Sequence, residues 1–465
     1  MFVFDDRRKS APNGGSMRFI LVLMVILIAL SALGESEPAS REEALKEALT
    51  AMKMRESDLS VLSLNTDPFR LSLVDSAMNS PLKMPDMLDS MGLFFTDVEV
   101  SMVEMLIEAA ARMDIQTENP VIKASESEYP WRGQRNVPVR IREALDIIFS
   151  SFERAEVEFN AAFAGIDSFQ MDTIRTWGLN YLIRNNGADI DSRKDEPTLE
   201  DIDRMELEAE TLAKRLFQIS TKVDLQRLSN ASLIIAKGAE TAYEKVLGLT
   251  AQDQTRPEVP DSIAMGDVIY WCETEYGLVI IGGPGRTIYR KRFAVIIDLG
   301  GDDIYQVAAG GADTTVQFAV AIDLAGDDLY SSKKDFAFGS GGLGVGILID
   351  AGGNDIYNSQ NFALGSGAYG TGILFDLAGD DLYSGNIGSQ GAGFMGYGIL
   401  RDYSGHDRYS ARLYSQGFGY VGGFGLLADI SGNDTYTAQG AYVDKLRYAD
   451  HHLSLSQGFG YGNRP

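Results

Sequence analysis

The chain has 465 residues and a formal net charge of −25, enough length for two or three domains and far too acidic for a nucleic-acid partner, because phosphate binding needs clustered Lys and Arg. Its one cysteine, Cys272, excludes an internal disulfide. Residues 265–465 hold 39 of the 49 glycines, and residues 261–465 hold 21 Asp against two Glu. Helical surfaces use Glu freely while turns favour the shorter Asp, so helices are expected first and strands with turns after them.

In chain order, residues 17–34 come first. They carry an apolar run of about 15 residues, too short for a spanning helix, which needs roughly 20. Ala32-Leu33-Gly34 offers small residues for cleavage, so residues 1–34 are predicted to be a signal peptide, with Met17 as an alternative start and an uncleaved anchor as the alternative fate. Residues 35–250 follow as a helical domain. Ile141, Leu145, Ile148, Phe152, Ala155, Phe159 and Ala162 recur at steps of four and three, and a similar stripe runs from Ile202 to Ile219. These stripes predict an intramolecular bundle core. The stretch 114–138 contains three prolines and reads as a long loop, and residues 251–265 read as a linker.

From residue 266 to the end the chain is predicted to be a β-solenoid. An eight-residue pattern, Asp-x-x-Gly-polar-Asp-x-Tyr, recurs six times. Its first Asp is Asp298, Asp323, Asp350, Asp376, Asp402 and Asp429. Its second Asp is Asp303, Asp328, Asp355, Asp381, Asp407 and Asp434, and its Tyr is Tyr305, Tyr330, Tyr357, Tyr383, Tyr409 and Tyr436. The spacings are 25, 27, 26, 26 and 27 residues, too short for a four-stranded propeller blade of about 40 and right for one coil of a parallel β-helix. Crossover handedness favours a right-handed coil. The segment Gly282–Tyr289 shares the Gly and Tyr but lacks the acids, and reads as a degenerate end coil. Residues 440–453 are an insertion carrying His451 and His452. In the strand Gly370–Asp376, Thr371, Ile373 and Phe375 are expected to face the core, which leaves Gly370, Gly372 and Leu374 for the helical domain or a partner chain to cover.

The Gly-x-Asp character of the repeat resembles calcium-binding RTX-type repeats, although their period is nine residues. The whole pattern is similar to exported β-solenoid proteins with Gly-Asn/Asp-Asp-x-Tyr and Gln-Gly-x-Gly repeats. That resemblance implies an architecture and no activity.

Stacked coils place like acids about 4.8 Å apart, where they repel by roughly 3–4 kcal/mol per pair at an effective dielectric near 20. Asp302, Asp327 and Asp380 add a third acid in three coils. Two devices can offset the repulsion. Ca²⁺ takes several carboxylate and carbonyl oxygens, which makes all fifteen of these Asp candidate ligands. Alternatively each Asp caps backbone N–H groups in its turn. No Gly-x-Ser-x-Gly, P-loop or His-Glu-x-x-His motif occurs. The sequence therefore predicts an N-terminal helical bundle followed by a C-terminal parallel β-solenoid. It is read as a secreted or cell-surface protein with a structural or binding role and a protein or carbohydrate ligand. The alternative is a carbohydrate-active enzyme on the same scaffold.

Overall fold

A computed structural model describes residues 41–59, 69–123, 125, 127–181, 199–249, 256–444 and 448–460, so the predicted signal peptide lies outside the described residues. Two compact units emerge: residues 1–66 with 70–92, and residues 67–69 with 93–465. The first holds α1 (Arg41–Ala51), α2 (Ser72–Asn79) and most of α3 (Met84–Phe95). The second holds α4 (Met102–Arg112), α5 (Val139–Ala162), α6 (Ser168–Thr173), α7 (Leu199–Ser220), α8 (Leu225–Val246) and every strand. Among the described residues, no helix is long and apolar enough to cross a membrane.

The solenoid has three walls. The first wall consists of β3 (Val295–Asp298), β5 (Phe318–Asp323), β8 (Val345–Asp350), β11 (Thr371–Asp376), β14 (Gly396–Asp402) and β16 (Gly423–Asp429). These strands stack in parallel with residues paired one repeat apart, for example Ile347↔Ile373↔Ile399. The second wall, also parallel, consists of β4 (Ile304–Tyr305), β6 (Leu329–Ser331), β9 (Ile356–Asn358), β12 (Leu382–Ser384), β15 (Arg408–Ala411) and β17 (Thr435–Ala438). The third is narrow: β7 (Gly341–Gly342), β10 (Gly367–Ala368) and β13 (Gly393–Phe394). At the N-terminal end, β2 (Gly277–Tyr289) serves both main walls, pairing with β3 and then β4, while β1 (Ala264–Thr274) covers it in antiparallel register. The segment 282–289 is therefore a true half-coil, its Tyr289 ring stacked on Tyr305. The insertion 440–453 forms the antiparallel hairpin of β18 (Tyr442–Asp444) and β19 (Tyr448–Leu453).

First-wall strands from β3 to β14 are buried on both faces, as their near-continuous apolar content requires, while β16 at the end is half-buried. The faces, however, are the reverse of the sequence expectation. Leu348, Leu374 and Leu400 join the Tyr column inside the coil. Gly372 also faces inward, where a Cβ would overlap the Ser366 carbonyl of the third wall. The coil is so thin that only glycine fits between facing backbones. Thr371, Ile373 and Phe375 lie on the outer face, beneath helices.

Those helices form a layer on the first wall as well as packing on one another. Phe152 and Phe159 of α5 meet Phe318 with ring centroids 5.6 and 5.8 Å apart. Three hydroxyl pairs stitch the seam: Ser220 to Tyr369 at 2.6 Å, Ser229 to Tyr397 at 2.5 Å and Ser232 to Thr371 at 2.6 Å. Arg401, fully buried, donates from Nη1 to the Val100 carbonyl at 2.6 Å and also reaches the Asp97 carbonyl. Its guanidinium lies 4.4 Å from the Tyr403 ring centroid. The stretch 114–138 is irregular, as expected, but it contributes the fully buried Trp131, whose Nε1 donates to Asp146 at 2.8 Å.

Candidate functional site

Strand parity decides where the repeated acids go. Each first Asp shares the inward phase of the residues two and four before it, which are Leu and Gly in the four coils from Asp350 to Asp429, and each second Asp shares the phase of its Tyr. The residue between the second Asp and the Tyr points outward, so Leu329, Ile356 and Leu382 are exposed while Tyr330, Tyr357 and Tyr383 are fully buried. The seven tyrosines from Tyr289 to Tyr436 stack at centroid spacings of 4.4–4.9 Å, an offset-stacked column that buries large area at each step.

The acids run alongside this column. Tyr357 sits between two of them, its hydroxyl 3.0 Å from Asp350 Oδ2 and 2.7 Å from Asp376 Oδ2. Tyr383 is placed alike, at 2.9 Å from Asp376 and 2.7 Å from Asp402. Tyr330 reaches Asp350 at 2.7 Å, Tyr289 bonds Asp298, and Tyr305 bonds Asp323. In four of the six coils, those of Asp298, Asp323, Asp350 and Asp402, the other oxygen of the first Asp caps its own turn, as where Gly300 N–H donates to Asp298 Oδ1 at 2.8 Å and Gly352 N–H to Asp350 Oδ1 at 3.1 Å.

Each second Asp ties one coil to the one before it. Backbone N–H groups of Asp303, Asp328 and Asp355 donate to Oδ1 of Asp328, Asp355 and Asp381 at 2.6 Å. Asp381 and Asp407 donate in the same way to Asp407 and Asp434. The Gly two residues before each second Asp permits this closeness: a Cβ on Gly353 would overlap the Gly326 carbonyl oxygen, and its φ is 159°.

Capping does not account for every oxygen. The Oδ2 atoms of Asp303, Asp328, Asp355, Asp381 and Asp407, and Oδ1 of Asp376, are buried without a hydrogen-bond partner. They lie among other acids. Five groups bring three carboxylates within 4.8 Å of one another: Asp298/Asp303/Asp323, Asp328/Asp350/Asp355, Asp355/Asp376/Asp381, Asp381/Asp402/Asp407 and Asp407/Asp429/Asp434. The first four groups are wholly buried and the last partly so, and all have the composition to hold a metal ion.

Burial, and after it the neighbouring carboxylates, raises Asp298, Asp328, Asp350, Asp355, Asp376 and Asp402 above the ordinary carboxylate range. Asp303, Asp323, Asp381 and Asp429 are raised chiefly by burial, and burial pushes Asp407 up to about 6. Two carboxylates in so dry a site do not both ionise readily, so each coil favours taking up a cation or a proton.

Asp302, Asp327 and Asp380 take a different place. They stand on an exposed row outside the five groups, where Asp302 accepts from Asp327 N–H at 3.2 Å, Asp327 from Asn354 N–H at 2.8 Å and Asp380 from His406 N–H at 2.9 Å. His406 fits this row because its Nδ1 accepts from Asn433 N–H at 3.1 Å. His451 and His452 are exposed on the β19 hairpin strand.

Two features escaped the sequence reading. Phe338, Leu364, Gln390 and Gln416 turn successive corners with φ of 56–58°, a region that non-glycine residues rarely enter. Gln390 then uses its side-chain amide to donate to the Tyr383 and Ser410 carbonyls at 3.1 and 3.0 Å. The recurring Gln-Gly dipeptide was the available signal at Gln390 and Gln416. Comparison with models of protein families, with curated proteins and with solved structures finds no match.

Proposed function

We propose that this is an exported, non-catalytic structural or binding protein whose repeat chemistry is spent on holding a thin solenoid together. The observation that carries this reading is the Asp–Tyr–amide column. The invariant residues of the repeat point into the wall and bond one another or the neighbouring coil, and repetition of this kind builds architecture rather than a single reaction centre. In the five coils whose second Asp is Asp303, Asp328, Asp355, Asp381 or Asp407, the two acids share one proton. The protonated second Asp donates from its otherwise unpartnered Oδ2 to the first, which cures the buried orphan and removes half of the charge.

Ca²⁺ is the competing occupant, favoured by the five three-carboxylate groups and by its preference for many oxygens. Export rests on the short apolar run at residues 17–34. Cell fractionation with N-terminal sequencing tests it. Protein recovered outside the cytoplasm with a mature start near Glu35 supports the proposal, and a cytosolic chain still beginning at Met1 or Met17 overturns it.

A further inference from the structure

The repeat breaks its own rule in one loop of the first coil. Five residues separate Ala312 from Phe318, whereas three separate their paired positions Gly341 and Val345, and three separate Gly367 and Thr371. The two extra residues build a rim. Against it stand α5, the β1–β2 turn, and Met171 and Arg175 from α6 and the turn after it, and together they line a cleft of about 410 Å³, within the range of small-ligand sites. Its lining includes Phe159, Phe163 and Tyr276 with Glu156, Asn160, Glu275, Thr314 and Gln317; the two Phe rings are buried and Tyr276 is half-buried. None of these residues belongs to the Asp-x-x-Gly-polar-Asp-x-Tyr repeat, and Glu275 is one of only two Glu after residue 260.

The cleft is also set in advance. Asp313 Oδ1 accepts from Thr315 N–H at 2.7 Å and from Thr315 Oγ1 at 2.6 Å, while its Oδ2 pairs with Arg292 at 3.1 Å. These bonds hold the rim loop in one shape. Across from it, the Tyr276 hydroxyl donates to Glu156 Oε2 at 3.0 Å and fixes that carboxylate on the wall. Tyr276 itself is wedged against Phe152 at 5.5 Å and Phe149 at 5.8 Å.

We propose that this cleft binds a short neutral saccharide. The half-buried Tyr276 ring can meet the C–H face of a sugar ring, and carboxylate, amide and hydroxyl groups around it match the donors and acceptors of ring hydroxyls. Glu156, Glu275 and Asp313 outnumber Arg175 on the lining, which opposes an anionic ligand. Asp313 is paired with Arg292 and Arg175 with Asp172, which leaves Glu156 and Glu275 as the acidic acceptors of the cleft. The proposal rests on the binding side of the reading above and names its ligand class.

Saturation-transfer NMR and calorimetry on the full chain, with maltose, cellobiose and diacetylchitobiose as probes at up to about 10 mM, test it. Thr314→Trp plugs the cleft and Glu275→Ala removes one wall acceptor, each checked for an unchanged melting temperature. At least one disaccharide should bind wild type, with its Kd raised at least about tenfold in one variant or the other, a loss of about 1.4 kcal/mol. No binding by wild type, or undiminished affinity in both variants, overturns the cleft assignment and leaves the exported scaffold untouched. Hydrolysis of a disaccharide that the variants fail to bind supports the cleft and overturns the non-catalytic reading instead.

Discussion

Replacing Asp355 by Asn isolates one shared proton. Asn keeps the oxygen that accepts from Asp328 N–H at 2.6 Å and puts an N–H₂ where the buried Oδ2 has no partner. The variant therefore carries permanently the donor that wild type has only while protonated. The sign follows from linkage. The folded-state pKa of Asp355 is raised by burial and by Asp350, so above about pH 4 the folded chain binds more protons than the unfolded one, and wild-type stability falls as pH rises. Near pH 4 the two proteins should be equally stable. Above it the advantage of Asp355→Asn should grow by as much as about 1.4 kcal/mol per pH unit until the folded pair has lost its proton. Denaturant unfolding in chelator from pH 4 to pH 8 reads this directly. A variant less stable than wild type at pH 8, or an offset that does not change with pH, refutes the shared proton. If millimolar Ca²⁺ stabilises wild type but not the variant, the pair is a metal site.

Other parts of the fold make separate predictions. Tyr357→Phe keeps the ring stack but removes the hydroxyl between Asp350 and Asp376, and should cost about 1.5–3 kcal/mol of stability in denaturant melts. Gly372→Ala puts a Cβ against the Ser366 carbonyl, where the neighbour is backbone and cannot swing away, so circular dichroism should show a solenoid that fails to assemble or melts far lower, whereas Gly133→Ala, with open space around it, should still fold. Arg401→Leu strands the Asp97 and Val100 carbonyls, at about 1–3 kcal/mol each if they stay buried. Faster amide exchange across residues 97–112, with the solenoid unchanged, is the expected reading.

The period of the repeat made the coil, its register and the Tyr column legible before any coordinates, because a ladder needs only like residues at like spacing. Burial of both faces of β11 was legible too, since Gly372, Ile373, Leu374 and Phe375 leave no polar side. Which face was which was not. A Gly-x-Gly edge reads as flat outer surface, and only the closeness of Gly372 to Ser366 in space shows that glycine is needed inside. The stripes of α5 and α7 likewise announced a buried face without naming its partner, because steps of three and four suit a helix bundle and a sheet equally. For the acids, type and spacing gave the row, and strand parity gave the direction. The unpartnered Oδ2 atoms depend on which bonds the neighbouring coil supplies, and no single repeat contains that information. The cleft is the least legible feature, since Glu156, Glu275 and Gln317 converge from three distant segments.

A crystal structure of the full chain grown at pH 7 from calcium-containing solution tests the shared-proton column most directly. The account predicts Asp350 and Asp355 carboxyl oxygens about 2.5–2.7 Å apart, as in a short O–H···O⁻ bond, with no ion between them. A cation held there by six to eight oxygens at about 2.3–2.6 Å would contradict it.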